Sequence, residues 1–248
     1  QEGEKIAAVL QVPEFTDQEG ILLATKTGVV KKTNLSEFSH PRKRGIIALS
    51  IDEGDELIAA RRVAPGQEIM LFTRQGMAVR FNESDVREMG RTARGVRGVT
   101  LRKEGDRVVG CEAVSGTEAL LVVCENGYGK RSLVDEFRKA HRGGVGVKSI
   151  VTSDRNGTVV AALVVEDSDE LLMVASSGQT IRIPLRDIRI MGRNTQGVRL
   201  ANLKEGSLVA VQRLQPTLSE EGSTSSSAVE GGEQVASVQE PTQEVEEE

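Results

Sequence analysis

A chain of 248 residues with 38% apolar content is long enough to bury a core without disulfides or metal. Aromatic residues make up only 2%, with no Trp and a single Tyr, which argues against readers that stack single-stranded bases on aromatic faces. The formal charge of −5 is uneven: residues 215–248 hold nine Glu and no Lys or Arg, leaving 32 basic against 28 acidic groups, a charge of +4, in the body before them.

The chain opens on Gly3-Glu4-Lys5-Ile6-Ala7-Ala8, which matches Gly54-Asp55-Glu56-Leu57-Ile58-Ala59 further on. Residues 1–19 therefore read as the end of a repeated unit whose beginning lies upstream, and Gln1–Lys5 do not form a signal peptide. Four full units follow, over about 20–67, 68–117, 118–169 and 170–214. Each carries an apolar run closed by a turn glycine: Ile21-Leu22-Leu23 before Gly28, Ile69-Met70-Leu71 before Gly76, Leu120-Leu121-Val122 before Gly127 and Leu171-Leu172-Met173 before Gly178. A second glycine recurs at Gly54, Gly105, Gly157 and Gly206, so the period is close to 50 residues, the size of a four-stranded propeller blade. Short apolar runs bounded by turns such as Glu125-Asn126-Gly127 predict buried strands joined by hairpins, with glycine supplying the positive φ. The expected architecture is all-β and repetitive. Residues 215–248, low in complexity and poor in apolar side chains, are expected to be a disordered acidic tail, acting either as a solubiliser or as a competitor for a basic face.

Counting from each turn glycine exposes basic columns. Four residues on stand Lys32, Arg80, Arg131 and Arg182; fifteen on stand Lys43, Arg91, Arg142 and Arg193. Eleven on stand Ser39, Arg87, Arg138 and Arg189, with Arg42, Arg44, Arg94, Arg97, Lys130, Lys139 and Arg199 close by, together with Lys31 and Lys148. In a stacked array equivalent positions fall on one rim, so these residues form a candidate belt for duplex DNA. The acids nine residues after each glycine, Glu37, Asp85, Glu136 and Asp187, offer a competing account of the first column as ion pairs within the blades. Cations aimed at phosphates position a duplex without reading it, so weak sequence preference is expected. Two contacts per blade over four blades would give a salt slope near −7, at ~0.9 per contact.

No catalytic or metal constellation emerges. Cys111 and Cys124 lie in apolar runs and read as small buried hydrophobes in a reducing, cytoplasmic setting. His40 and His141 sit among basic loop residues, and Gly127-Tyr128-Gly129-Lys130-Arg131-Ser132 lacks the hydroxyl residue that a phosphate-binding loop needs after its Lys. No cofactor and no metal is expected in this chain.

The segments Lys26-Thr27-Gly28-Val29-Val30-Lys31-Lys32-Thr33, Asn126-Gly127-Tyr128-Gly129-Lys130-Arg131 and Gly192-Arg193-Asn194-Thr195-Gln196-Gly197-Val198 closely resemble the C-terminal domain of DNA gyrase A, over residues 1 to about 214. The resemblance implies a β-pinwheel whose neighbouring blades exchange strands, with duplex DNA wound round a basic rim. It further implies partnership with the rest of gyrase A and with the ATPase component, gyrase B, in an A2B2 assembly. ATP and Mg belong to that holoenzyme, which introduces negative supercoils at the bacterial chromosome. The family's Gln-Arg-Arg-Gly-Gly-x-Gly box is not found; Arg142-Gly143-Gly144-Val145-Gly146 is its nearest counterpart. The corresponding C-terminal domain of topoisomerase IV is the alternative within this class, and a protein-interaction propeller the alternative outside it.

Overall fold

The computed structural model describes residues 6–216; the expectations for residues 1–5 and for most of the acidic tail fall outside this range. The first repeat forms β1 (Gly20–Thr25), β2 (Val29–Asn34) and β3 (Leu57–Val63). The second forms β4 (Glu68–Thr73), β5 (Met77–Asn82), β6 (Val96–Arg97) and β7 (Val108–Val114), and the third β8 (Ala119–Cys124), β9 (Tyr128–Leu133), β10 (Val147–Lys148) and β11 (Val159–Val165). The fourth adds β12 (Glu170–Ala175), β13 (Thr180–Pro184), β14 (Val198–Arg199) and β15 (Leu208–Leu214). Residues 6–19 carry no strand, although Ile6–Ala8 match Leu57–Ala59 of β3.

The sheets do not coincide with the repeats. Their strand orders are β3-β1-β2-β6, β10-β5-β4-β7, β11-β8-β9-β14 and β13-β12-β15. Each of the first three sheets thus takes its fourth strand from the following repeat, and the last has three strands among the described residues. This is the strand exchange that the pinwheel resemblance implies. Each donated strand is two residues long and is preceded by a glycine pressed against the accepting sheet. A Cβ on Gly95 would stand 2.6 Å from Val30 O, and one on Gly197 2.5 Å from Gly129 O; both glycines have positive φ. The hairpin glycines Gly28, Gly76, Gly127 and Gly178 also have positive φ, as their turns require.

The continuous apolar runs are explained by burial on both faces. Along β4, Ile69 and Leu71 join a core with Leu22, Val30 and Ala59 of the first blade, while Met70 and Phe72 join one with Leu120, Val122 and Phe137 of the third. In β8, Leu121 and Val123 face the fourth blade, packing with Leu171 and Met173. Alternation along a strand therefore distributes its side chains between two inter-blade cores rather than between core and water. Cys111 and Cys124 lie within these cores, and burial pushes both thiols up to about 12, which makes them inert packing residues.

β3, β7, β11 and β15 contact one another in succession. They form the inner edge of the array, which places β6, β10 and β14, at the opposite edges of their sheets, on its rim.

Candidate nucleic-acid interface

The first basic column is built into the joints between blades. On β5, Arg80 lies diagonally across from Glu68 of β4 and pairs with it, while its Nη1 donates to Val134 O at 2.8 Å and Phe137 O at 3.0 Å, carbonyls of the 3-10 turn in the next blade. Arg131 repeats the plan, with Nε donating to Ile188 O at 2.5 Å and Nη1 paired with Asp167. Lys32 pairs with Glu83 of the following repeat, both side chains nearly buried. Arg182, on the more open fourth blade, pairs with Glu170 through Nε at 2.6 Å. The expectation that Lys32, Arg80 and Arg131 belong to the belt is corrected by this geometry, while Arg182, exposed beside its partner, stays a candidate for it. The first three are buried or nearly so, and all four carry a carboxylate partner, none of them in the acid column read from the sequence. Spare donors of Arg80 and Arg131 reach Phe137 O and Ile188 O, which close short 3-10 turns, where a cation is favoured.

Lys130 is corrected on the same ground. It is fully buried on β9, and its Nζ donates to Gly192 O at 2.6 Å. Lys31 is its counterpart on β2, donating to Ala48 O at 2.5 Å, to Gly90 O at 3.0 Å and to Arg91 O. Burial lowers both ammonium groups to about 8; Arg91 near Lys31 and Arg193 near Lys130 add to the effect.

The column at fifteen residues lies in outer loops and divides its donors. Arg142 Nε donates to Asp85 O at 2.9 Å and its Nη1 to Arg97 O at 3.1 Å. Arg193 Nε donates to Glu136 O at 3.2 Å and its Nη1 to Lys148 O at 3.3 Å. Arg91 lies 3.8 Å from Glu37, and Lys43 is exposed. The acids at nine residues thus serve the next repeat's loop, which is further fixed by Met89, Ala140 and Met191 N–H groups donating to Lys32, Arg80 and Arg131 carbonyls. Arg91, Arg142 and Arg193 are each tied on one flank and present the other to solvent beside the donated strand.

The outermost cations are of two kinds. Arg87, Arg138 and Arg189 follow the 3-10 turns, are exposed and make no ion pair among the described residues. Arg97, Lys148 and Arg199 end β6, β10 and β14, one per rim strand, and are exposed. This second set is a column at twenty-one residues that the spacing count overlooked as a column. Its signal was the recurring Gly95-Val96-Arg97, Gly146-Val147-Lys148 and Gly197-Val198-Arg199. Arg42 and Arg44 are exposed in the first repeat, Arg94 pairs with Asp52, and Lys139 reaches Glu68 at 2.6 Å. The rim therefore presents two unpaired rows, repeated from blade to blade, which can neutralise successive charges of a rigid polyanion.

The chain matches the family described as DNA gyrase C-terminal domain, beta-propeller over residues 21–64, 67–115, 118–166 and 169–214, one match per repeat. It is 56% identical over 214 residues to the DNA gyrase A protein of Chlamydia pneumoniae, covering 86% of this chain and 26% of that protein. It is 42% identical over 236 residues to that of Salmonella typhimurium, covering 94% and 27%. The chain thus spans about a quarter of the length of these curated relatives. Among solved structures it is similar to a DNA gyrase A C-terminal domain, with TM-score 0.73 and 30% identity over 82% of this chain and 68% of that one. It is also similar to the C-terminal domain of a DNA topoisomerase IV, with TM-score 0.76 and 27% identity over 82% and 64%.

Proposed function

The chain belongs to the DNA gyrase C-terminal domain family, and from that premise we propose that its rim binds duplex DNA and curves it round the blades. The observation that carries this reading is the pair of unpaired exposed rows, Arg87, Arg138 and Arg189 with Arg97, Lys148 and Arg199, standing on equivalent positions of successive blades. Smooth bending of 20–30 base pairs by 40–90° costs about 1–6 kcal/mol, which one or two phosphate contacts do not offset and a repeated row does. Because these side chains meet phosphates rather than base edges, binding is weakly sequence-dependent.

In the whole enzyme the curved duplex would be handed to the strand-passing core of gyrase A, and ATP hydrolysis by gyrase B, with Mg, would drive negative supercoiling in the cytoplasm. This chain's part is binding and bending. The identities of 41–58% to DNA gyrase A proteins support this assignment over topoisomerase IV, to which the likeness is one of fold at lower identity.

A salt titration of duplex binding tests the reading. Six rim contacts at ~0.9 each predict a log K against log[salt] slope of about −5. A slope flatter than about −2 would overturn it.

A further inference from the structure

The single tyrosine of the chain begins β9, at a position that is Val29 in β2 and Met77 in β5. In every exchanged pair the rim cation stands across from this position: Arg97 opposite Val29, Lys148 opposite Met77, Arg199 opposite Tyr128. Only in the third blade does the cation meet a phenol. Arg199 donates to the Tyr128 hydroxyl oxygen from Nε at 3.2 Å and from Nη2 at 2.8 Å, with its guanidinium carbon 5.4 Å from the ring centroid. A second guanidinium, from Arg155 in the loop before β11, stands over the same ring at 4.9 Å. Neither arginine has a carboxylate within ion-pair distance among the described residues. The hydroxyl oxygen accepts from Arg199, so its own proton is free to be donated outward. The surrounding concave surface is completed by Asn126 and Asn202.

Two like charges sharing one phenol repel each other, and among the described residues only the phenol's own ring and hydroxyl, not a carboxylate, offset that cost. All the converging charged and phenolic groups are donors. Their natural complement is an acceptor-only anion that two guanidiniums can grip together. We propose that Tyr128, Arg155 and Arg199 form a discrete site for one phosphodiester group of the duplex backbone, the guanidiniums meeting the non-bridging oxygens and the phenol donating to one of them. The site rests on the DNA-bending reading and adds to it a residue, Arg155, that belongs to neither rim row. The side chains of Arg155 and Arg199 also hold the Tyr128 phenol below its ordinary ionisation range, so the site carries its own spectroscopic reporter in a chain without Trp.

The test uses the whole chain in two arms. In the first, duplex binding is measured against salt for wild type and for Arg155→Ala, an exposed substitution expected to leave the unfolding midpoint in place. The variant is expected to bind duplex about tenfold more weakly at each salt concentration, the loss of one charge-assisted hydrogen bond, with its slope little changed because Arg199 still meets the same phosphate. In the second, tyrosinate absorbance near 295 nm is followed against pH with and without inorganic phosphate at constant ionic strength. Phosphate drawing the guanidiniums to itself moves the Tyr128 midpoint upward in wild type and much less in Arg155→Ala. A steep wild-type slope with an affinity that Arg155→Ala leaves unchanged, or a midpoint that ignores phosphate, overturns this site while leaving the DNA reading standing. A wild-type slope flatter than about −2 removes that reading itself.

Discussion

Replacing Arg80 with Ala separates a joint from a binding residue. In the folded chain Arg80 is nearly buried, pairs with Glu68, and supplies donors to the Val134 and Phe137 carbonyls of the next blade. Removing one member of a buried ion pair costs about 3–5 kcal/mol, because the partner charge stays behind. Lys139 still reaches Glu68 at 2.6 Å, which offsets part of that, while two carbonyls lose their donors; together these place the loss at about 3 kcal/mol. With a urea m-value near ~3 kcal/mol/M, the unfolding midpoint should fall by about 1 M, while the salt slope of duplex binding is unchanged. Acid supplies a second readout. Burial alone would raise the Glu68 carboxyl, but hydrogen bonds from Lys139 and Arg80 outweigh it and hold the group low. Its stabilisation is therefore present above the ordinary carboxylate range and lost as pH falls through the depressed folded value, and Arg80→Ala should show a shallower loss. A destabilisation under ~1 kcal/mol, together with a salt slope flatter by ~0.9, would refute the structural role and return Arg80 to the DNA face.

Three further outcomes follow from the same geometry. Gly146→Ala places a Cβ well inside van der Waals contact of Ala78 O at positive φ and should cost more than ~3 kcal/mol in denaturant unfolding, whereas Gly45→Ala, also at positive φ but with open space around it, should cost about 1 kcal/mol; equal costs would deny the strand crossing its tight fit. Neutralising one rim row, as Arg87→Gln, Arg138→Gln and Arg189→Gln together, should flatten the salt slope by about 2.7 and leave the unfolding midpoint in place; an unchanged slope would exclude that row from binding. Because Lys31 and Lys130 are held down to about 8 while Cys111 and Cys124 are pushed up to about 12, the lysines make stability rise with pH from about 8, and the thiols, which ionise from about 9 in the unfolded chain, oppose that rise above it. The rise should shrink when both lysines are replaced by Met, and a urea midpoint that falls with pH between about 8 and 9 would contradict the assignment.

The period, the hairpins and the two-faced strands were legible because each is written locally. Turn glycines at fixed spacing and unbroken runs such as Ile69-Met70-Leu71 need no distant partner to be read. Strand exchange was accessible only through family resemblance, since Val96–Arg97, Val147–Lys148 and Val198–Arg199 are too short to give a periodic signal. The joints were hidden for a related reason. Arg80 and Arg182 find Glu68 and Glu170 diagonally across their own hairpins, eight residues before the turn glycine, and a cross-strand count could have paired them. Lys32 and Lys130 find Glu83 and the Gly192 carbonyl in the following repeat, where spacing within one repeat has no purchase, and Arg131 finds Asp167 at the far end of its own repeat, 36 residues on. A basic column therefore marks positions equivalent in the fold without saying which side of the joint they serve.

Curvature of the bound duplex is the central claim, and linking number reports it directly. The chain is bound at saturation to relaxed circular plasmid, the DNA is resealed with a nicking-closing enzyme, and topoisomers are resolved after the protein is removed. A shift toward positive linking number, reduced by loss of the Arg87, Arg138 and Arg189 row, is the predicted result. Saturated binding with an unshifted topoisomer distribution would contradict the account.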